Sequence, residues 1–176
     1  NVLPQPGSLL VVCGKGNNGG DGFVIARAAA KEGWNVTAPL AEGEPKTTDA
    51  ITNFERLHSL SVNICADCTV LETQHFDVVV DALYGTGFHG ALRPSGLAAC
   101  GLMNRLHKSG AFVLAVDLPS GINTDTGEVA EGAAHADLTV TFDSYKPLHV
   151  AESSAPLCGK IVCSDIGIRD EWHPEF

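Results

Sequence analysis

The chain has 176 residues and a mass of 18.4 kDa; 44% of residues are apolar and 18% charged, and 11 Lys plus Arg against 21 Asp plus Glu give a formal net charge of −10. This is the size and balance of one folded domain (residues 1–176), not of a disordered, collagenous or coiled-coil chain. The acidic excess argues against a nucleic-acid partner, no apolar run approaches the roughly 20 residues of a membrane span, and Asn1 to Ser8 holds neither the basic cluster nor the apolar stretch of a secretory signal.

Leu9 to Cys13 is a continuous apolar run that ends in glycines, the pattern of a strand buried on both faces. Asp21 to Glu32 predicts a helix with a broad apolar surface, closed by Gly33 in a left-handed conformation. Val36 to Leu40 predicts a weaker strand. Thr48 to Leu60 predicts a helix with Ile51, Phe54 and Leu57 at three-residue steps, and Val62 to Cys65 a short strand. Phe76 to Leu83, around Val78-Val79-Val80, predicts a strongly buried strand. Leu92 to Lys108 predicts a helix with Pro94 near its start. Strands follow at Phe112 to Val116, Leu138 to Phe142 and Lys160 to Ser164. Strands alternating with helices predict an α/β fold with a parallel sheet covered on both faces.

Six cysteines occur, at 13, 65, 68, 100, 158 and 163. Cys65 and Cys68 form a single CxxC with no second pair nearby, a weak metal or redox signal. Scattered thiols in apolar segments are the pattern of a reduced intracellular protein.

In open α/β sheets ligands bind beyond the carboxyl ends of the strands. Three predicted strands end there in glycine-rich loops: Gly14 to Gly22, Asp81 to Gly90, and Asp117 to Gly121. If the strands are neighbours, the loops meet over one crevice. Gly14, Gly16 and Gly19 fit GxGxxG between a strand and a helix, a pattern in which backbone N–H groups approach an anion. A bare glycine turn reads the same way. No Lys followed by Ser or Thr completes a Walker loop, and the acid expected about 20 residues on, for a ribose hydroxyl, is absent at that distance; Glu42 comes later. Asn17, Asn18 and Asp21 add side-chain oxygens that suit a cation or a sugar as well as phosphate. Asp81 and Asp117 suit catalysis or ligation, and each also suits capping of the turn that follows it. Ser120 either caps the turn at Gly121 or joins Asn18 and Asp81 around a cation.

The segments GKGNNGGDG, DALYGTGFHG and DLPSGINTDTG, in this order and spacing, resemble the YjeF N-terminal domain family of NAD(P)H-hydrate epimerases. Ala136 to Phe142, Lys146-Pro147 and Asp165 to Ile168 match as well, so the resemblance covers about Leu9 to Ile168. It implies a Rossmann-like three-layer sandwich with a mostly parallel central sheet. It implies an isomerase acting on NADHX or NADPHX, the forms of NADH and NADPH hydrated on the nicotinamide ring, and interconverting their R and S forms. The functional partner is then a dehydratase that repairs the S form. Substrate contacts map onto Asn17, Asn18, Gly19, Gly20, Asp21, Gly85, Thr86, Gly87, Phe88, His89, Gly90, Ala91 and Asp117. One potassium ion per subunit maps onto Asn18, Asp81 and Ser120. The resemblance is compatible with a homodimer in the cytoplasm, with a mitochondrial pool in a eukaryote.

The chemistry agrees with such a site. The hydrated carbon is bonded to the ring nitrogen, whose lone pair can expel the hydroxyl and leave a flat iminium-like cation. Water then returns to either face; ring opening and reclosure give the same result. Either route needs one group that gives and takes a proton, and Asp117 in a partly desolvated pocket is the expected group. An enzyme that accepts both hydrates is expected not to discriminate at the ribose 2′ position.

Family members usually carry a helical segment before the first strand, and many bacterial ones continue into a kinase-like dehydratase domain; this sequence meets its first strand within about eight residues. Two other readings stand beside the epimerase. A non-catalytic scaffold of the RNA-decay type would lose the catalytic aspartate or the NNGGDG loop, and this sequence keeps both. A nicotinamide-dependent oxidoreductase would call for a substrate domain.

Overall fold

A computed structural model describes residues 5–167. Ile168 and the Arg169 to Trp172 segment lie outside the described residues. In chain order the elements are β1 (Ser8–Cys13), α1 (Asn17–Lys31), β2 (Asn35–Pro39), α2 (Thr48–Glu55), β3 (Val62–Cys65), β4 (Val78–Ala82), α3 (Pro94–Lys108), β5 (Phe112–Val116), β6 (Leu138–Phe142), α4 (Ala155–Cys158) and β7 (Lys160–Ser164). Short 3-10 turns lie at Thr69–Leu71 and Pro147–His149. All seven strands run parallel in the order β3-β2-β1-β4-β5-β6-β7, a Rossmann-like α/β architecture.

The strand alternation assigns each side chain to one of two layers. Leu9, Val11, Cys13, Val78, Val80 and Ala82 face α1 and α2 and pack with Phe23, Ala26, Ala50 and Leu57. Leu10, Val12, Val79, Val113 and Ala115 face α3 and pack with Ala99, Cys100, Leu102, Met103 and Leu106. A third, smaller cluster of Leu118, Ile122, Leu148 and Cys158 anchors the loops that follow β5 and β6. All six cysteines are free thiols, and burial pushes Cys68 up to about 12, so the CxxC contributes packing rather than thiolate chemistry. Among the described residues no helix is long and apolar enough to cross a membrane.

Two helices differ from expectation. α2 stops at Glu55 rather than Leu60; its start is capped by the Thr47 hydroxyl, which accepts from Ala50 N–H at 3.4 Å. α1 starts at Asn17 rather than Asp21. Asn and Gly are poor helix formers, so Asn17 to Gly20 reads locally as loop. Packing overrides that preference. A Cβ on Gly22 would stand 2.7 Å from the Ala82 Cβ and 2.9 Å from the Cys13 Sγ, so only glycine lets α1 lie this close to β1 and β4.

Candidate active site

Strand order reverses between β1 and β4: β1 is followed in the chain by β2 on one side, and β4 and β5 lie on the other. At this switch point a cleft of about 560 Å³ opens over the carboxyl ends of the strands. The three glycine-rich loops do meet there. Asn17, Asn18, Asp21, Gly85, Thr86, Gly87, Phe88, His89, Ala91 and Asp117 all line it. Gly19, Gly20 and Gly90 do not. Gly19 is buried behind the lining, where a Cβ would stand 1.8 Å from the Gly14 carbonyl oxygen, and Gly20 packs on Ala50.

The α1 N-terminus meets the cleft without a capping side chain. Its N-cap is Gly16, which supplies no side-chain cap, and its first turn holds no acidic residue. The first N–H groups therefore have no helical acceptor and lie beside the cleft with the positive end of the helix dipole. A Cβ on Gly16 would meet no atom within 4 Å, so the space in front of that turn is open.

Asp117 follows β5 in a left-handed conformation, φ 68°, uncommon for a residue with a side chain. Three bonds hold it there. Its N–H donates to the Val140 carbonyl at 2.8 Å, its carbonyl accepts from His149 Nε2 at 3.0 Å, and its Oδ1 accepts from Lys146 Nζ at 2.6 Å. Oδ1 also accepts from the Thr141 hydroxyl at 2.8 Å, and Lys146 Nζ donates onward to Thr141 Oγ1 and the Phe142 carbonyl. These bonds of the carboxylate all fall on Oδ1, and Asp117 lines the cleft. The Asp117 and Lys146 side chains are 13% and 18% exposed. Solvent reaches Asp21 at the cleft mouth, yet desolvation by the walls and, second, the charge of Asp117 raise its carboxyl above the usual range.

His149 is buried and its tautomer follows from geometry. The Lys146 backbone N–H can only donate, so Nδ1 accepts it at 3.0 Å and Nε2 carries the proton given to Asp117. Desolvation is the main cause that lowers the ring's pKa. The unfolded chain then binds this proton more tightly than the folded one. The neutral ring supports the fold above the ordinary 6.5, and that support is lost as pH falls through the lower folded value. His149→Leu is expected to cost roughly 1–3 kcal/mol, since two buried backbone groups lose their partner. It should also flatten the loss of stability on acidification. Urea unfolding at about pH 7.5 and about pH 5.5 reads both effects; an unchanged acid slope would show that His149 does not titrate with unfolding.

Asp81 does not emerge past its strand. It lies within β4, in register with Val12 and Ala115, and is fully buried on the α3 side. Oδ2 accepts from Ser120 N–H at 2.7 Å and Oδ1 from the Ser120 hydroxyl at 2.6 Å; Leu83 N–H adds a longer bond at 3.3 Å. Burial outweighs these bonds and pushes the carboxyl up to about 6. The Ser120 hydroxyl accepts from Tyr84 N–H, and Asn18 Nδ2 donates to the Tyr84 carbonyl at 2.9 Å. Asn18, Asp81 and Ser120 are thus gathered around one backbone segment.

Sequence reasoning placed Lys146 only within a matching segment and missed it, with Thr141, His149, Lys15, Tyr84, Arg93 and Glu42, as a site residue. The Lys146-Pro147 match was a signal for the first. Glu42 stands just past β2, lines the cleft, and accepts from the Tyr84 hydroxyl at 2.6 Å. Its position after a strand was the signal available.

Known proteins share this fold and this sequence pattern. The fold is similar to the crystal structure of yeast ynu0, with a TM-score of 0.68 and 22% identity, covering 85% of this chain and 63% of that one. In sequence, the chain is 40% identical to the bifunctional NAD(P)H-hydrate repair enzyme Nnr of Pyrobaculum aerophilum, with 97% of this chain and 36% of the relative covered. It is 39% identical to the protein of the same name from Methanothermobacter thermautotrophicus, with 92% and 32% covered, and 34% identical to that of Coxiella burnetii, with 96% and 34% covered. The chain spans about a third of the length of these relatives. The family described as YjeF-related protein N-terminus matches residues 1–148, which include every loop of the cleft; this chain is a member of that family.

Proposed function

We propose that this domain epimerises hydrated NADH and NADPH. The observation that carries the reading is the pairing, in one cleft, of an uncapped helix N-terminus with the Asp117 carboxylate, which lines the cleft and whose Oδ1 is fixed by Lys146 and Thr141. The pyrophosphate takes the α1 N–H groups. The hydrated ring lies toward β5, over Asp117.

A proton taken up from solvent at Oδ2 primes Asp117; as the ring nitrogen's lone pair forms the C=N bond, the carbon–oxygen bond breaks and the oxygen leaves as water with that proton. The carboxylate left behind stabilises the flat cation. Water then adds to the opposite face and gives a proton to Oδ2, from which it returns to solvent, so the enzyme ends as it began. Lys146 and Thr141 hold Oδ1 throughout and keep the carboxylate from rotating.

Asn18, Asp81 and Ser120 fit a potassium ion. They offer an amide oxygen, a carboxylate and a hydroxyl, the donor set of a hard cation. Asp81 is 0% exposed and takes part in no ion pair among the described residues. When bound, the ion supplies positive charge beside that carboxylate. The relatives are named bifunctional NAD(P)H-hydrate repair enzymes, which supports a second repair activity, here a hydrate dehydratase, as functional partner. A cytoplasmic location and a homodimer belong to the same reading.

The test mixes the pure protein with R-hydrate and an S-specific dehydratase and follows NADH as it reappears. No acceleration over the enzyme-free rate would end the epimerase reading. Replacing potassium by tetramethylammonium at equal ionic strength is expected to lower both turnover and Tm; no change in either would end the cation assignment.

A further inference from the structure

Glu42, too far along the chain to match the usual spacing of a ribose-binding acid, is brought to the cleft by the fold. Glu42 lies just beyond the carboxyl end of β2, where Leu40 bridges Cys13 and Ala41 N–H donates to the Cys13 carbonyl, so the residue is held against the glycine loop. In dinucleotide-binding sheets this is the strand end whose acid hydrogen-bonds the adenosine ribose. Here Glu42 and Asp117 flank the switch point from opposite sides, at the ends of β2 and β5. Three inter-strand spacings separate those ends, roughly 14 Å. A dinucleotide whose pyrophosphate sits on α1 then has its hydrated ring at Asp117 and its adenosine ribose at Glu42.

We infer that Glu42 sets the preference of this site for the nucleotide without a 2′-phosphate. The inference rests on the nucleotide-repair reading above. The Glu42 side chain is 7% exposed, and its orientation is fixed: the Tyr84 hydroxyl donates to Oε1, and the Lys15 ammonium lies 3.8 Å from Oε2. A buried carboxylate is an acceptor for ribose hydroxyls. Facing a 2′-phosphate, it is a like charge at close range, and a phosphate monoester carries between one and two negative charges. Lys15, 32% exposed, offsets part of that repulsion. The expectation of indifference at the 2′ position is thereby revised.

ADP-ribose and its 2′-phosphate are the probes, titrated calorimetrically against wild type, Glu42→Gln and Lys15→Met, with Tm recorded for each. Wild type is expected to bind ADP-ribose about tenfold tighter or more. Glu42→Gln keeps an acceptor for Tyr84 but removes the charge, and should bring the two affinities within about threefold. Lys15→Met should widen the wild-type gap. Equal wild-type affinities, or a gap that Glu42→Gln leaves unchanged, would overturn the inference while leaving the epimerase reading intact. Failure of both probes to bind folded protein would overturn the inference together with the nucleotide reading; ADP-ribose preference without epimerase turnover would uphold it and count against the reaction alone.

Discussion

Asp117→Asn is expected to lose about 10²–10⁴-fold in epimerisation above the enzyme-free rate, the usual worth of a general acid–base group. Asparagine keeps the size and can still accept from Lys146 and Thr141 at one oxygen, so the hydrogen-bonded frame around Oδ1 should survive although the ion pair is lost. The amide that replaces Oδ2 cannot exchange a proton with the departing or incoming water. The left-handed backbone is no obstacle, since Asn adopts it as readily as Asp. Binding of ADP-ribose should therefore persist while turnover falls. R and S hydrates also interconvert unaided, so the enzyme-free rate is subtracted. Turnover near the wild-type value would move the proton role to Asp21, whose carboxyl is already raised, or to Lys146.

Gly19→Ala is expected to destabilise the domain by about 3 kcal/mol or more, beyond ordinary overpacking. Its Cβ would stand 1.8 Å from the Gly14 carbonyl oxygen and 2.6 Å from that carbonyl carbon, and both are backbone atoms that cannot swing aside. The sequence maps Gly19 onto a substrate contact; the structure places it against the loop and not the cleft, so a side chain here strikes the fold before the ligand. The variant that separates binding from folding is Gly16→Val. A Cβ there meets no protein atom within 4 Å and projects where an anion would approach the first turn of α1. Gly16→Val should hold Tm close to wild type and weaken ADP-ribose, whereas Gly19→Ala should lower Tm outright. Equal Tm for Gly19→Ala and wild type would mean that the Gly14 loop shifts freely, and unchanged affinity in Gly16→Val would mean that this turn is not the anion site.

The sequence alone determined the seven strands, because each is a local β-branched or apolar run bounded by turn residues, a pattern that depends on near neighbours only. It also determined the three glycine-rich loops and the placement of Asp117 at a strand end, and the loop motifs carried the family. The strand order that brings those loops together was decided by tertiary structure, since spacing along the chain does not state which strands pair. Local propensity hid the true start of α1: Asn17 to Gly20 favour loop in isolation, and only close packing of Gly22 against β1 and β4 makes them helix. Lys146, Thr141 and His149 converge on Asp117 from β6 and the turn after it, more than twenty residues away along the chain, and no periodicity links them. Burial turned Asp81 from a strand-end residue into a fully enclosed one, and the extension of β2 against Cys13 brought Glu42 to the cleft. Each of these depends on long-range contacts, which a linear pattern of residue types records only where the chain happens to return at a fixed spacing.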